Sequence, residues 1–231
     1  MRMLVTVLGA AVLAAPGGAG AGAPTPTAGT RVAALMRDAD ARAHAVHTAP
    51  ADDPDSGIPL VGEPAPTWSF TRWIGPQHSL AELRGKVVLI RWWTEGCHFC
   101  ATTLPELERL RRAHADQGLV VIGVFHPKPP HEVSDRHIVA VAKRLGFGGP
   151  IAVDRDWITL DRYWLAGHPE RSWTSVSFLI DREGTIRWVH GGGEYHPSSD
   201  PAHARCAGQY RELERALAAA LAEPPRAANA R

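Results

Sequence analysis

The sequence predicts an α/β domain, a central mixed sheet flanked by helices, on the strength of three observations. Two runs rich in β-branched and aromatic residues, Lys86–Trp93 (KVVLIRWW) and Leu119–Phe125 (LVVIGVF), enclose a segment with leucines at helical spacing. Two further apolar runs flank the polar, glycine-ended tetrapeptide Asp181-Arg182-Glu183-Gly184, which suits a hairpin. Strand and helix signals then alternate from Val61 to about Leu221, the order that builds a helix-covered sheet.

Lys86–Trp93 has few polar breaks, as a strand buried on both faces requires, and Leu119–Phe125 is of the same kind. Between them Ala101–His114 carries Leu104, Leu107 and Leu110 on one helical stripe. A right-handed βαβ crossover makes the two strands parallel. A helical pattern follows at Val133–Leu145, and then a short strand at Ile151–Val153. Asp154, Arg155 and Asp156 mark a turn or a helix start. Val176–Ile180 and Thr185–His190 form the hairpin arms, and a closing helix from Tyr210 to Leu221 sets Leu213, Leu217 and Leu221 on one stripe. Of the eight tryptophans, Trp92 and Trp93 are expected around the central strand, whereas Trp157, Trp164 and Trp173 either fill the core or wall a groove.

The chain has 231 residues, of which 45% are hydrophobic, enough for one sizeable core. With 25 Lys and Arg against 24 Asp and Glu, it carries no footprint for nucleic acid or an anionic membrane. Residues 1–21 read as a signal peptide. A basic start is followed by the apolar run Met3–Ala15, too short to span a bilayer, and by Ala19-Gly20-Ala21 as a cleavage site. Residues 22–60, rich in Ala, Pro, Thr, Gly and Asp, read as a flexible linker, 61–222 as the folded domain and 223–231 as a disordered tail. The mature protein is therefore expected to be secreted or periplasmic, a monomer with no stable membrane span.

Three cysteines are too few for a disulfide scaffold, so chemistry is the better assignment. Cys97-His98-Phe99-Cys100 places two thiols at i and i+3 where the first strand meets its helix, close enough to pair across a turn. The helix N-terminus stabilises a thiolate there, and a protonated His98 would add to that. In a βα setting this spacing reads as a dithiol redox centre, needing no cofactor beyond the redox-active disulfide itself. Half a zinc site is the alternative, and no second CxxC completes it.

Several motifs in order carry a resemblance. Gly62-Glu63-Pro64-Ala65-Pro66 opens the domain, Leu80-Ala81-Glu82-Leu83-Arg84-Gly85-Lys86 precedes the strand, and Trp92-Trp93 precede the CxxC. Pro105 lies five residues after Cys100, and Phe178-Leu179-Ile180-Asp181 is followed by Gly184. Over about Gly62–Leu221 the chain resembles the thioredoxin-like TlpA/ResA family of extracytoplasmic thiol-disulfide oxidoreductases. The resemblance implies a thioredoxin-like fold with a helical insertion, and Cys97 as attacking and Cys100 as resolving thiol. It also implies a protein thiol or disulfide as substrate and a membrane or extracytoplasmic redox partner.

Three positions depart from that pattern. Gly96 replaces the tryptophan that commonly precedes the first cysteine, and Arg91 stands where thioredoxins carry an acidic proton acceptor. Ser175, within Trp173-Thr174-Ser175-Val176, occupies the family's cis-proline position. A cis bond before a residue other than proline costs about 2.5–4 kcal/mol, so Ser175 is expected to be trans. Thr94-Glu95-Gly96-Cys97 is similar to the T-x-x-C of peroxiredoxins, which makes a thiol peroxidase a second reading, with Arg91 or Arg171 as stand-in for the activating arginine.

Topology brings two loops to the edge that carries Cys97. One is His126-Pro127-Lys128-Pro129-Pro130-His131; the other follows the last strand and holds Gly191 to Gly193, Glu194, His196, His203 and Cys206. Three roles stay open for the second group. Cys206 resolves a mixed disulfide as a third thiol; Glu194, His196, His203 and Cys206 bind a soft or borderline metal; or the loop is simply solvated surface. A Cys/His module for copper or zinc that includes Cys97 and Cys100 is the corresponding non-enzymatic reading.

Overall fold

The computed structural model describes residues 56–224. The segment read as a signal peptide and most of the linker and tail lie outside the described residues. The strands are β1 (Arg72–Ile74), β2 (Val87–Trp93), β3 (Leu119–Phe125), β4 (Ile151–Val153), β5 (Ser177–Ile180) and β6 (Ile186–His190). The long helices are α1 (His98–His114), α2 (Asp135–Arg144) and α3 (Ala204–Ala222).

The sheet runs β1-β4-β3-β2-β5-β6, with β2, β3 and β4 parallel and β1, β5 and β6 antiparallel to their neighbours. All seven residues of β2 are buried, which explains its unbroken apolar run. Val87↔Leu119 through Trp93↔Phe125 are in register, so β2 and β3 deliver their following loops to one edge. Ser177↔His190 adds the start of β5 and the end of β6 to that edge.

The two faces are built differently. Val87, Leu89 and Trp93 of β2 pack with Leu104, Leu107 and Leu110 of α1, Ile138 and Val141 of α2, and Leu213 and Leu217 of α3. Val88, Ile90 and Trp92 pack with Leu80 and Leu83, with Trp157, Leu160, Tyr163 and Trp164, and with Val176 and Phe178. That second face is covered by the segment before β2, by a helical turn, Ile158–Leu160, and by the π-helical turn that follows it, Asp161–Leu165, rather than by long helices.

Local chemistry sets the helix ends. Ser134 caps α2 by accepting from His137 N–H, Asp135 lies in its first turn, and Lys143 and Arg144 in its last complement the helix dipole. The turn between β5 and β6 closes on the buried Asp181, whose carboxylate accepts from Glu183 N–H, Thr185 N–H and Arg187 Nε. Glu63 and its neighbours lie along β6: Gly62 N–H donates to Ile186 C=O, Ile186 N–H to Glu63 C=O and Ala65 N–H to Gly184 C=O. The turn Ile58–Leu60 belongs to the packed unit, with Leu60 against the second core, a few residues before the boundary that composition suggests.

Glu108 on α1 offers a pH handle on stability. Its carboxylate accepts from Arg111, Arg112 and Gly148 N–H, and the Arg111 hydrogen bond, followed by those of Arg112 and Gly148, lowers its pKa from 4.5 to about 2 against the opposing effect of burial. A carboxylate held below its unfolded value contributes stability that is full above about pH 4.5 and is lost as pH falls toward 2. Glu108→Gln is expected to lower stability at pH 7 by roughly 1–2 kcal/mol, allowing for solvent screening at Arg112. It should also flatten the acid limb of a denaturant-midpoint against pH curve. Parallel curves for variant and parent would refute this.

Candidate active site

The chain leaves β2 at Trp93 and turns through Gly96, whose φ of 73° suits a residue without a side chain. Cys97 caps α1, its Sγ accepting from Cys100 N–H at 3.2 Å and its carbonyl from Cys100 and Ala101 N–H. Cys97 and Cys100 form a disulfide with Cα atoms 5.2 Å apart. Cys97 is half-buried and Cys100 fully buried, so one sulfur meets solvent and the other sits behind it. The N-terminus of α1 thus directs the Cys100 amide at Cys97 Sγ, an environment that favours thiolate there on reduction. His98 is exposed and Phe99 half-buried beside it.

Ser175 faces the pair. Its Oγ lies 3.5 Å from each sulfur, and the peptide bond before it is trans, as the sequence led one to expect. What holds that segment is His126, which the sequence placed in a proline-rich loop without giving it a role. His126 Nδ1 lies 2.9 Å from Trp93 C=O and Nε2 2.9 Å from Thr174 Oγ1. A carbonyl only accepts, so Nδ1 carries the proton and Thr174 donates to Nε2. Burial, with Lys128 nearby, holds the His126 pKa well below the ordinary histidine range and keeps the ring neutral. One imidazole thus ties the end of β2 to the residue before Ser175.

Trp173 forms a wall. Its ring meets Phe99 edge-on at 5.6 Å, and its carbonyl accepts from Trp164 Nε1. Gly192 fits behind it because a Cβ there would lie 2.4 Å from Trp173 Cβ. Trp164 is core, and Trp157 contacts the His126 ring while donating to Pro127 C=O, so of the three only Trp173 lines the thiol surface. Glu95, beside Gly96, accepts from His137 of α2 at 2.7 Å, tying that helix to the active-site turn.

Arg91 is fully buried and points its guanidinium at Ser177 Oγ and Gly193 C=O, over the Tyr195 ring. Burial lowers its pKa, opposed by Tyr195. Arg171 donates to Trp164 C=O and lies 4.0 Å over that ring. The partners of the two guanidiniums thus include Ser177, Gly193 and Tyr195 for Arg91 and Trp164 for Arg171. Thr94 is buried at 7% exposure.

Glu194, His196, His203 and Cys206 do converge: one ligand-type atom from each lies within 4.8 Å of the others. Cys206, however, belongs to the first turn of α3 rather than to the end of a loop, because that helix begins at Ala204 and not near Tyr210. It is a free thiol, pushed up in pKa by burial and then by Glu194, to which it donates at 3.7 Å. No helix among the described residues is long and apolar enough to cross a membrane.

Residues 61–189 match the model of the AhpC/TSA family, more than half of the chain. Over 118 residues the chain is 36% identical to the protein DipZ of Mycobacterium tuberculosis, covering 51% of this chain but only 16% of DipZ. It is 29% identical over 132 residues to the thiol-disulfide oxidoreductase ResA of Geobacillus kaustophilus, covering 57% of this chain and 70% of that one. The thioredoxin-like protein YneN of Bacillus subtilis is also 29% identical, over 131 residues, covering 57% and 71%. Among solved structures, a thiol-disulfide isomerase from Corynebacterium glutamicum superposes with a TM-score of 0.52 at 24% identity, covering 69% of this chain and 97% of that one. The fold is thioredoxin-like, as in a solved thioredoxin-like superfamily protein that superposes with a TM-score of 0.50 at 23% identity, covering 70% of this chain and 98% of that one.

Proposed function

The chain belongs to the AhpC/TSA family, and on that premise we propose that it is a thiol-disulfide oxidoreductase exchanging its Cys97/Cys100 dithiol with protein disulfides outside the cytoplasm. The observation that carries the proposal is the pairing of a half-buried Cys97 at a helix N-terminus with a buried Cys100 already joined to it. In the reduced protein the Cys97 thiolate attacks one sulfur of a substrate disulfide. The substrate S–S bond breaks, and the electron pair leaves with the other substrate sulfur, which takes a proton. The Cys100 thiolate then attacks Cys97 Sγ, releasing the second substrate thiol and closing the Cys97–Cys100 disulfide. Two electrons and two protons pass to the substrate, and a membrane or extracytoplasmic redox partner restores the dithiol. Ser175 Oγ is placed to donate to the thiolate, and Gly96 leaves the approach to Cys97 open. The engagement of Arg91 with Gly193 and of Arg171 with Trp164 supports disulfide exchange over peroxide reduction.

A redox titration in defined thiol/disulfide buffers, with alkylation and peptide mass mapping, tests this. The expected result is one two-electron couple confined to Cys97 and Cys100, with Cys206 alkylated throughout. Its potential assigns direction: near about −270 mV for a reductase, near about −120 mV for an oxidant. A Cys97/Cys100 pair that fails to cycle, or that exchanges with Cys206, overturns the proposal.

A further inference from the structure

We infer that Glu194, His196, His203 and Cys206 form a mononuclear site for a divalent cation of zinc's class, separate from the redox disulfide. The backbone builds the donor set from two sides. Gly191 to Gly193 turn the chain after β6, so Glu194 and His196 follow two apart; His203 precedes α3 and Cys206 lies one helical turn on, at the same end of the helix.

Glu194 Oε1 is the hub. It lies 3.6 Å from His203 Nδ1, 3.7 Å from Cys206 Sγ and 4.0 Å from His196 Nε2. Metal bonds of about 2.0–2.3 Å to a tetrahedral zinc set donor separations of roughly 3.3–3.7 Å, so a small inward movement of side chains completes the sphere. The two imidazoles already pack with ring centroids 5.0 Å apart. His196 Nε2 is buried with no hydrogen-bond partner among the described residues, while its Nδ1 is 3.1 Å from Pro197 C=O. A metal-binding histidine is commonly held in this way, one nitrogen fixed by a carbonyl and the other directed at the ion. Two neutral imidazoles, one carboxylate and one thiolate balance a 2+ charge, and the thiolate selects zinc over magnesium or calcium. On binding, the Cys206 S–H bond gives way to a sulfur–metal bond and the proton passes to solvent.

The same loop presents Gly193 C=O to Arg91 and packs Gly192 on Trp173, so the ion would fix the wall beside the thiols. It would also withdraw Cys206 from thiol exchange.

The test uses the protein in its oxidised form, in which Cys97 and Cys100 have no free thiol to offer. After incubation with zinc chloride and desalting, about one equivalent of zinc should remain. Cobalt(II) should give thiolate-to-metal absorption in the near ultraviolet together with intense tetrahedral visible bands. Cys206→Ser should abolish the near-ultraviolet absorption, and Glu194→Gln and His196→Ala should each lower retention at least tenfold with the far-ultraviolet circular dichroism unchanged. Less than a tenth of an equivalent retained by the oxidised parent, or retention unaltered in Cys206→Ser, would overturn the inference. Either result leaves the Cys97/Cys100 exchange proposal untouched, since that pair is closed throughout.

Discussion

Cys100→Ser is expected to convert a turning-over exchanger into a trap, and Cys97→Ser to silence it. Only Cys97 combines solvent access with the amides of the α1 N-terminus, so it alone begins attack on a bulky disulfide. A serine hydroxyl stays protonated at neutral pH, and Cys97→Ser should reduce disulfide exchange at least about 1,000-fold. Cys100 is buried behind its partner, where a protein substrate does not reach it but Cys97 Sγ does. With serine at 100 the first step remains and the second is lost, so a mixed disulfide through Cys97 accumulates. Non-reducing gels and mass spectrometry with a reducible protein substrate would show it. Full turnover by Cys100→Ser would mean that another thiol, Cys206 first, resolves the intermediate.

The second large effect is on stability, at Asp154. Its Oδ2 accepts from Trp92 Nε1 at 3.0 Å and Leu160 N–H at 2.7 Å, and its Oδ1 from Thr159 N–H at 3.2 Å, all in buried surroundings. One carboxylate therefore clamps the central strand to the turn that roofs the second face. Asp154→Ala strands three buried donors, and at roughly 1–3 kcal/mol for each unsatisfied group it should cost at least about 3 kcal/mol in a guanidinium titration. Asp154→Asn, with its oxygen toward Trp92 and Leu160, should cost markedly less. A loss under about 0.5 kcal/mol in the alanine variant would show that water replaces the carboxylate. The pH dependence has the opposite sign to that of Glu108. Burial raises the Asp154 pKa, so its ionisation-linked contribution is greatest in acid and declines as pH rises through the raised value.

How much of this was legible in the chain follows from what each feature depends on. β2 and β3 announce themselves because strands covered on both faces need uninterrupted apolar sequence. β1 is only Arg-Trp-Ile, half-buried, and exists because β4 offers it partners far along the chain, Arg72 with Val153, Trp73 with Ala152 and Ile74 with Ile151. The first turns of α3, Ala-Arg-Cys-Ala-Gly-Gln, carry no apolar stripe; Ala207 and Tyr210 are buried only because the sheet lies beneath them. The same division holds at the site. The cysteine spacing and the departure at Ser175 can be read locally, and so can the Glu194, His196, His203 and Cys206 set, since its members are close in sequence. His126 cannot: its meaning lies in Trp93 C=O and in Thr174, 33 and 48 residues away. Asp154 is intermediate, legible as a helix-start residue through Thr159 and Leu160 but not as the partner of Trp92.

The segment around Glu63 that hydrogen-bonds along β6 has a consequence for solubility. An outermost strand with bare amides and carbonyls is a template on which a second molecule can extend the sheet. Here Gly62, Glu63 and Ala65 occupy those groups at Ile186 and Gly184, and Pro64, bridging to Thr185, has no N–H to offer a newcomer. The chain thus carries its own edge guard in the first residues of the domain, ahead of β1. A recombinant boundary drawn after Ala65, though it would spare every strand and helix of the sheet, would leave a self-adhesive margin.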